Sequence, residues 1–212
     1  MLTIEIASDF VCPWCFLGIA RLKTAVGMIR AERPDFEVRA TWRAFFLNPD
    51  TPPEGEPYMP FLERKFGGRD RVETIFERVR AAGRPYGVEY AFEKIALRAN
   101  TFNAHRLAAW AQRQGDAAPL VERLFVGNFQ RGEHLGDVAT LVRIAGECGH
   151  DAAAASAFLA SDELKAEVTA DAADVVKKGI NMVPTFIVGG REIIVGAEDP
   201  AILAAGIRRT LA

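Results

Sequence analysis

The sequence has few cysteines, few histidines and no long apolar run. Its 212 residues include three cysteines and three histidines, and no apolar run approaches the roughly 20 residues that a membrane-spanning helix needs. An excess of one charge is also lacking, because 26 Lys and Arg nearly balance 28 Asp and Glu and leave a formal net charge of −2. This composition favours neither nucleic acid nor a membrane surface as a partner.

The first residues also lack the pattern of a targeting signal. MLTIEIASDF has neither a basic segment nor a long apolar segment, so it is not typical of a signal peptide. We therefore expect a cytoplasmic protein, in which structural disulfides are rare and a C-x-x-C pair is more often catalytic or metal-binding. Half of the residues are hydrophobic, which is enough for one large domain or for a small domain with a second one inserted.

The N-terminal part of the chain has the pattern of a βαβ unit. Alternating apolar residues predict a strand over residues 2–7, and helical spacing predicts a helix from Pro13 to about Ala31. Alternation resumes in FEVRATWRAFF, residues 36–46, which predicts a second strand. The two strands are expected to be parallel, because a helix connects them.

The C-terminal part returns to strands after a long helical stretch. Residues 183–212 predict a strand, a Gly-Gly hairpin, a strand and a last helix that Asp199 can cap. The sequence therefore predicts one domain built from residues 1–53 and 179–212, interrupted by a helical domain over residues 54–178.

The middle of the chain favours helices. The proline-rich stretch LNPDTPPEGEPYMP, residues 47–60, is typical of a linker. Apolar residues behind it recur at helical spacing; two such sets are Val72, Ile75, Phe76, Val79 and Val138, Leu141, Ala145, Cys148. Because Cys148 shares an apolar stripe, we expect it to be a buried, inert thiol.

The other two cysteines lie in SDFVCPWCFLG, residues 8–18, where the first strand meets the first helix. Pro13 suits a first helical turn and places Cys12 at the helix N-terminus, where unpaired N–H groups and the helix dipole favour a thiolate over a thiol. We expect Cys12 to be exposed at the end of the helix and Cys15 to lie beneath the first turn. Cys12 can then attack a disulfide, and Cys15 can resolve the mixed disulfide.

Two other interpretations of the cysteine pair are weaker. A zinc site needs two further ligands, and the remaining candidates do not form a second pair at a customary spacing; they are Cys148, His105, His134 and His150. No metal site is therefore predicted. A structural disulfide across so short a loop would add little stability and would be reduced in the cytoplasm.

CPWC after the first strand, a helical insertion after the second and MVPTF before the third resemble the thioredoxin-fold disulfide oxidoreductases, and more narrowly the DsbA-like family. SDFVCPWCFLG, FFLNPDTPPEG, NTFNAHRLAAWA, GINMVPTFIVGG and IIVGAED are similar to the cytoplasmic FrnE-type branch, and this resemblance spans essentially the whole chain. It implies an α/β thioredoxin fold with an inserted all-helical domain, in the order βαβ, helical insertion, ββα. It also implies an enzyme that oxidises, reduces or isomerises disulfides.

Four residues are expected to support the two thiols. The resemblance implies that Pro184 is a cis-proline packed against them, with Val183 directly before it. We expect an extended substrate to pair with the backbone near Val183. Pro13 and Trp14 separate the cysteines, and Trp14 is expected either to shape the rim that meets the substrate or to be a packed tryptophan.

Four polar residues complete the predicted site. Asp9, three residues before Cys12, is expected to relay protons, to disfavour the neighbouring thiolate by charge repulsion, or to cap the helix or turn. The resemblance implies a substrate groove lined by Asn48, Asn100 and His105. The alternatives are a turn-forming asparagine at position 48 and a structural histidine at position 105.

Relatives of the same architecture leave a second function open. They include the 2-hydroxychromene-2-carboxylate isomerases and the kappa-class glutathione transferases, which typically carry serine at the position of Cys12. Two cysteines favour redox chemistry, so a glutathione-dependent isomerase or transferase is the alternative. An adaptor that only borrows the fold would require two unreactive thiols.

The expected partners follow from the redox interpretation. They are protein or peptide thiols and disulfides, with glutathione or a dithiol as the redox co-substrate and with no bound cofactor. Relatives of this architecture are often dimers, so a homodimer is also expected.

Overall fold

Strands at both ends of the chain flank a long helical segment in the computed structural model, which describes residues 1–211. In chain order the elements are β1 (Leu2–Ser8), α1 (Pro13–Glu32), β2 (Val38–Ala44), β3 (Glu56–Pro57), α2 (Tyr58–Phe66), α3 (Arg69–Gly83), β4 (Leu97–Arg98), α4 (Phe102–Gln114), α5 (Ala118–Val126), α6 (Val138–Glu147), α7 (Ala152–Ala160), α8 (Lys165–Lys177), β5 (Thr185–Val188), β6 (Glu192–Val195) and α9 (Pro200–Leu211). Ala212, which ends the second segment of the predicted sheet domain, lies outside the described residues. None of the helices described is long and apolar enough to cross a bilayer.

Four strands form a mixed sheet in the order β2-β1-β5-β6. β1 and β2 are parallel, which confirms the predicted βαβ unit, and β5 is antiparallel to both β1 and β6. The turn between β5 and β6 contains Gly189 and Gly190, whose φ angles are 57° and 69°. Residues with a side chain rarely adopt this region, so the Gly-Gly pair permits the hairpin. The fold class predicted from the sequence is confirmed.

Helices cover both faces of the sheet. α1 and α9 pack together on one face, where the buried apolar residues include Ile4, Ile6, Leu22, Val26, Ile29, Phe186, Val188, Leu203 and Ile207. On the other face Val175 and Ile180 pack against Ile187. Because both faces are covered, all four residues of β5 are buried, and the three that follow Thr185 are apolar.

The inserted segment is mainly helical but not entirely so, and this corrects the expectation of an all-helical domain. Glu56–Pro57 and Leu97–Arg98 pair as a two-stranded antiparallel sheet. The linker prediction is wrong at its end, since α2 begins at Tyr58. The buried ring of Tyr58 stacks on Phe76 at a centroid distance of 6.2 Å, and this tertiary contact fixes the start of the helix.

One apolar cluster joins the sheet to the helical segment. Phe16 of α1 stacks on Phe125 of α5 at 5.7 Å, and Phe10 lies 5.1 Å from the same ring. Cys12 and Cys15 belong to this cluster. The division into residues 1–53 with 179–212 and residues 54–178 therefore stays a proposal, because both parts share one core.

A buried arginine holds the junction between α7 and α8. Arg106 of α4 has no exposed surface, and its guanidinium donates to four backbone carbonyls, those of Phe158, Leu159, Ser161 and Glu163. All four groups lie in or beyond the last turn of α7, where carbonyls have no i+4 partner within the helix. The hydrogen bonds offset the cost of burying the charge.

Cys148 is less buried than predicted. It follows the last residue of α6 and is partly exposed, and its Sγ lies 3.8 Å from the carbonyl oxygen of Pro119. Leu141 and Ala145 of the same stripe are fully buried, whereas Val138 is exposed. The stripe reaches the surface at both helix ends, which is why the expectation of a buried thiol is wrong. Partial burial raises the pKa of Cys148.

Candidate active site

Cys12 occupies the position directly before α1. Its backbone is extended, with φ −94° and ψ 109°, and its carbonyl accepts hydrogen bonds from the N–H groups of Cys15 (3.1 Å) and Phe16 (3.4 Å). Its own N–H donates to the carbonyl of Asp9 at 3.0 Å. Pro13 follows as the first helical residue, where its missing N–H breaks no helical bond. The Cys12 sulfur is therefore held beside the positive end of the α1 dipole.

Both thiols are free and buried. Cys15 has no exposed surface, and only 4% of Cys12 is exposed. The expectation that Cys12 is exposed is thus wrong, because the segment before β5 and the apolar cluster of the helical segment cover it. Burial, and next the hydrogen bond and charge of the Cys12 side chain, raise the pKa of Cys15. Cys15 is therefore held as a neutral thiol.

Val183 and Pro184 lie directly beside the first thiol. Cys12 Sγ donates to the carbonyl oxygen of Val183 at 3.7 Å, and the Val183–Pro184 peptide bond is cis. Two segments separated by 171 residues thus meet at one sulfur. Val183 is partly exposed, so this side of Cys12 has the thinnest cover.

Gly18 permits the approach of Pro184 to α1, and the sequence analysis missed it. A Cβ at position 18 would lie 2.7 Å from Cγ of Pro184 and 3.1 Å from Cζ of Phe186. Carbon atoms in contact are normally about 3.5–4.0 Å apart, so a side chain here would displace the proline. The available signal was a glycine within a predicted helix, which usually has a packing or functional reason.

Asp9 is almost fully buried and joins three segments. Its Oδ2 accepts a hydrogen bond from the N–H of Leu47, and its Oδ1 accepts one from the hydroxyl of Thr101, both at 2.8 Å. The carboxylate therefore ties the end of β1 to the loop after β2 and to the residue before α4. The carboxylate accepts from Leu47 and Thr101 and not from α1, so the helix-capping role is wrong. The turn before the helix is closed by the backbone carbonyl of Asp9, which accepts from the Cys12 N–H.

His105 is a buried residue of α4. Its ring lies 4.8 Å from the ring of Phe10 and 5.1 Å from that of Phe46. Its Nε2 lies 3.5 Å from Asp9 Oδ1 and makes no hydrogen bond within residues 1–211. This packing agrees with the structural alternative more than with a groove-lining role.

Asn48 and Asn100 share a small cavity of about 160 Å³, which also contains Thr101. The Asn100 amide donates to the carbonyl of Thr51 at 2.7 Å, and its oxygen accepts from the N–H of Phe102. The structure does not bring His105 into this cavity. His105 instead lines a separate cavity of about 400 Å³ between β2, α4 and α8.

A cation that the sequence analysis missed lies at this side of the site. Lys65 Nζ donates to Asn48 Oδ1 at 3.0 Å. Burial and the neighbouring Arg98 lower the pKa of Lys65, while the charges of Asp9 and Cys12 act in the opposite direction. The structure thus places the Lys65 side chain beside Asn48.

Two further residues of the helical segment contact the CPWC turn. The hydroxyl of Tyr90 donates to the carbonyl of Pro13 at 2.8 Å, and burial raises the pKa of Tyr90, which keeps the phenol neutral. The guanidinium of Arg78 lies 5.8 Å from the ring of Trp14. Trp14 is half-buried, so part of its ring is available at the rim. No local sequence signal identified Tyr90 or Arg78.

The sequence of this chain is similar to one protein family over most of its length and to a bacterial relative. The sequence model of the DSBA-like thioredoxin domain family matches residues 3–208. YwbO, an uncharacterized protein of Bacillus subtilis (strain 168), is 26% identical over 207 residues, which is 96% of this chain and 94% of that protein.

Two solved structures also resemble this chain over nearly its whole length. The crystal structure of SCO1869, a probable DsbA oxidoreductase of Streptomyces coelicolor, is 26% identical with a TM-score of 0.90 and covers 100% of this chain and 90% of that one. The cytosolic disulfide reductase DsbM of Pseudomonas aeruginosa, solved with GSH, is 15% identical with a TM-score of 0.67 and covers 99% of both chains. At that identity the second likeness concerns the fold alone.

Proposed function

The chain belongs to the DSBA-like thioredoxin domain family, and from this premise we propose that it is a thiol–disulfide oxidoreductase of the FrnE-type branch that acts through Cys12 and Cys15. The observation that carries the proposal is the position of Cys12, at the N-terminus of α1, against the Val183 carbonyl and above a fully buried second thiol. The branch assignment is supported by the resemblance of the motifs quoted above.

In the reductive direction the Cys12 thiolate attacks one sulfur of a substrate disulfide. A bond forms between Cys12 and that sulfur, while the other substrate sulfur leaves and takes up a proton. Cys15 then loses its proton and attacks Cys12, which releases the second substrate thiol. The substrate gains two electrons, and the two cysteines are left as a disulfide. The same steps in reverse oxidise a dithiol.

The resolving step needs an acceptor for the Cys15 proton, because burial raises the pKa of that thiol. We assign this role to Asp9, whose carboxylate is buried and whose backbone carbonyl, three residues before Cys12, accepts the hydrogen bond of the Cys12 N–H. A general base of this kind typically contributes about 10²- to 10⁴-fold in rate. In this role Asp9 acts as a base, in addition to joining three segments through its hydrogen bonds.

Substrate access is proposed along Val183. Its N–H forms no hydrogen bond within residues 1–211, and its carbonyl accepts only the weak thiol contact of Cys12. An extended peptide can pair with these two groups and present a disulfide to Cys12.

Glutathione is the proposed redox co-substrate. Support comes from the GSH held by DsbM, a protein of the same fold, and from Lys65, a cation beside Asn48 that can pair with a glutathione carboxylate. The cytoplasmic location expected from the sequence stays a proposal.

Insulin reduction by a dithiol, followed with separate cysteine variants, tests the proposal. We expect Cys12→Ser to lose activity, Cys15→Ser to accumulate a mixed disulfide with substrate, and Cys148→Ser to match the wild type. If Cys12→Ser still reduces insulin disulfides, the proposal is wrong. If Cys15→Ser catalyses a glutathione-dependent isomerisation as well as the wild type does, the alternative function is correct.

A further inference from the structure

The Asp9 carboxylate is surrounded by hydrogen-bond donors. It is 1% exposed, so it has almost no contact with solvent. Its oxygens accept hydrogen bonds from the N–H of Leu47 and from the hydroxyl of Thr101. A carboxyl group that has taken up a proton becomes a donor itself, and a buried donor without an acceptor is costly. The protonated form of Asp9 therefore needs a further partner.

Nε2 of His105 lies where that partner is needed. It is 3.5 Å from Asp9 Oδ1 and makes no hydrogen bond within the described residues. The side chain is 6% exposed, and its ring is held between the rings of Phe10 and Phe46. The Thr101 hydroxyl can also turn to accept a hydrogen bond, but it does not hold a proton near neutral pH as an imidazole does. The lone pair of Nε2 can therefore receive the proton of the carboxyl group.

His105 also connects the buried carboxylate with the surface. It lines the cavity of about 400 Å³ between β2, α4 and α8. Arg113 and Glu167 line the same cavity, and both side chains are more than half exposed. The cavity thus reaches the surface, so the ring has access to solvent protons although Asp9 does not.

The charges around His105 leave Asp9 as its main electrostatic partner. Five charged side chains line the cavity with His105, and they form ion pairs with one another: Arg43 with Glu5 and Asp171, and Arg113 with Glu167 at 3.7 Å. The thiols of Cys12 and Cys15 are the other titratable groups, on the far side of Asp9. Of the acids in the described chain, Asp9 is the one within 4 Å of a ring nitrogen.

We propose that His105 acts through Asp9 as a positioning residue for the resolving step, in which it accepts the proton of Cys15 from Asp9 and passes it to water in the cavity. The Cys15 S–H bond breaks, and its electron pair stays on the sulfur. The proton forms an O–H bond on Asp9 Oδ1 and then an N–H bond on His105 Nε2, which restores the carboxylate. The imidazolium releases a proton to the cavity. This inference rests on the proposed thiol chemistry and on Asp9 as the first acceptor.

Single-turnover kinetics of insulin reduction test the relay. In His105→Gln an amide that takes up no proton replaces the imidazole, so we expect release of the mixed disulfide to slow about tenfold or more, while attack by Cys12 keeps the wild-type rate. Acid-quenched intermediates report both steps. The matched control is His150→Gln, whose ring packs on Trp110 at 5.4 Å, and both of its rates should be those of the wild type.

The pH profile separates a relay from a merely structural role. Release should slow as the pH falls from 8 to 5, because imidazoles gain a proton in this range and can then no longer accept one. His150→Gln should keep this decline, whereas His105→Gln should lose it. Combining His105→Gln with Asp9→Asn should slow release no more than the slower single change does, because the two residues lie on one path.

Nitrogen-15 NMR tests the relay in the reduced wild type, so that a folding defect of His105→Gln cannot decide the matter. The chain has three histidines, and replacing His134 and His150 singly by glutamine identifies the signal of His105 by elimination. At pH 8 its Nε2 should carry no hydrogen, because only the free lone pair can accept the proton of Asp9.

Four results would each overturn the relay. They are release at the wild-type rate in His105→Gln, a pH profile of this variant that matches that of His150→Gln, a double variant slowed by the product of the single effects, and a hydrogen on Nε2 of the reduced protein at pH 8. Failure of the proposed function looks different. The wild type and His150→Gln would then form no mixed disulfide, and Cys15→Ser would trap none, which overturns the relay together with the function.

Discussion

Replacement of Gly18 by alanine tests how closely α1 must approach Pro184. The new Cβ would lie 2.7 Å from Pro184 Cγ, about 0.8 Å inside the shortest normal carbon contact. Neither the proline ring nor the buried Phe186 can rotate out of the way, so the segment that carries Val183 must shift. Overpacking of this size costs about 1–3 kcal/mol, while the alanine returns up to about 1 kcal/mol of helix propensity.

The same helix offers a matched control. Gly27 also lies in α1, and a Cβ there would meet nothing within 4 Å. Gly27→Ala should therefore stabilise the protein by up to about 1 kcal/mol, and the difference between the two variants isolates the clash. Urea unfolding measures both free energies.

The rate of insulin reduction supplies the second measurement. A displacement approaching 1 Å beside the reacting sulfur should slow exchange on the order of tenfold or more, with Gly27→Ala at the wild-type rate. If Gly18→Ala is as stable as Gly27→Ala and equally active, the close approach of Pro184 has no role in the chemistry and the reasoning fails.

Three further predictions concern buried groups. Arg106→Met should lower the free energy of unfolding by about 3 kcal/mol or more, because buried carbonyls lose their donors; urea unfolding should show a much smaller loss for Arg113→Met, whose charge is exposed. Burial raises the pKa of Cys15, so above about pH 8.5 the unfolded thiol releases a proton that the folded thiol keeps. The free energy of unfolding of the reduced protein should thus fall between pH 8 and 9.5, and a slope unchanged in Cys15→Ala would contradict this. Asp9→Asn should slow release of the mixed disulfide by about 100-fold or more while attack by Cys12 stays at the wild-type rate; acid-quenched intermediates report both steps, and equal slowing of both would remove the proton-acceptor role.

Much of the fold could be predicted because its signals are local. β1 alternates along its length, and α1 begins at a proline and keeps helical spacing, so each is recognisable without its partners. The start of α2 at Tyr58 could not be predicted in this way, because it depends on burial against Phe76, which comes 18 positions later. β3 and β4 have two residues each, which is too short for any period to show.

The candidate site likewise combines residues that local sequence motifs identify with residues that only the tertiary structure brings to it. The C-x-x-C spacing and Pro184 are visible in the sequence, and the structure places them together. Tyr90, Lys65 and Thr101 reach the site from the helical segment, and their roles depend on contacts that only the tertiary fold creates. The burial of Cys12 was missed for this reason, since a helix N-terminus in isolation would be exposed.

The burial of Cys12 also determines how a substrate can approach. On one side the sulfur faces an apolar cluster that includes Phe10 and Phe16, and opening that side would expose the core shared by sheet and helices. On the other side the cover is Val183, which is partly exposed, and Met182 beside it is 59% exposed. Displacement of this short segment costs far less burial than separation of the core. We therefore expect a substrate disulfide to reach Cys12 from the Met182–Val183 side, where the structure places an exposed apolar side chain and an N–H group without a partner in residues 1–211.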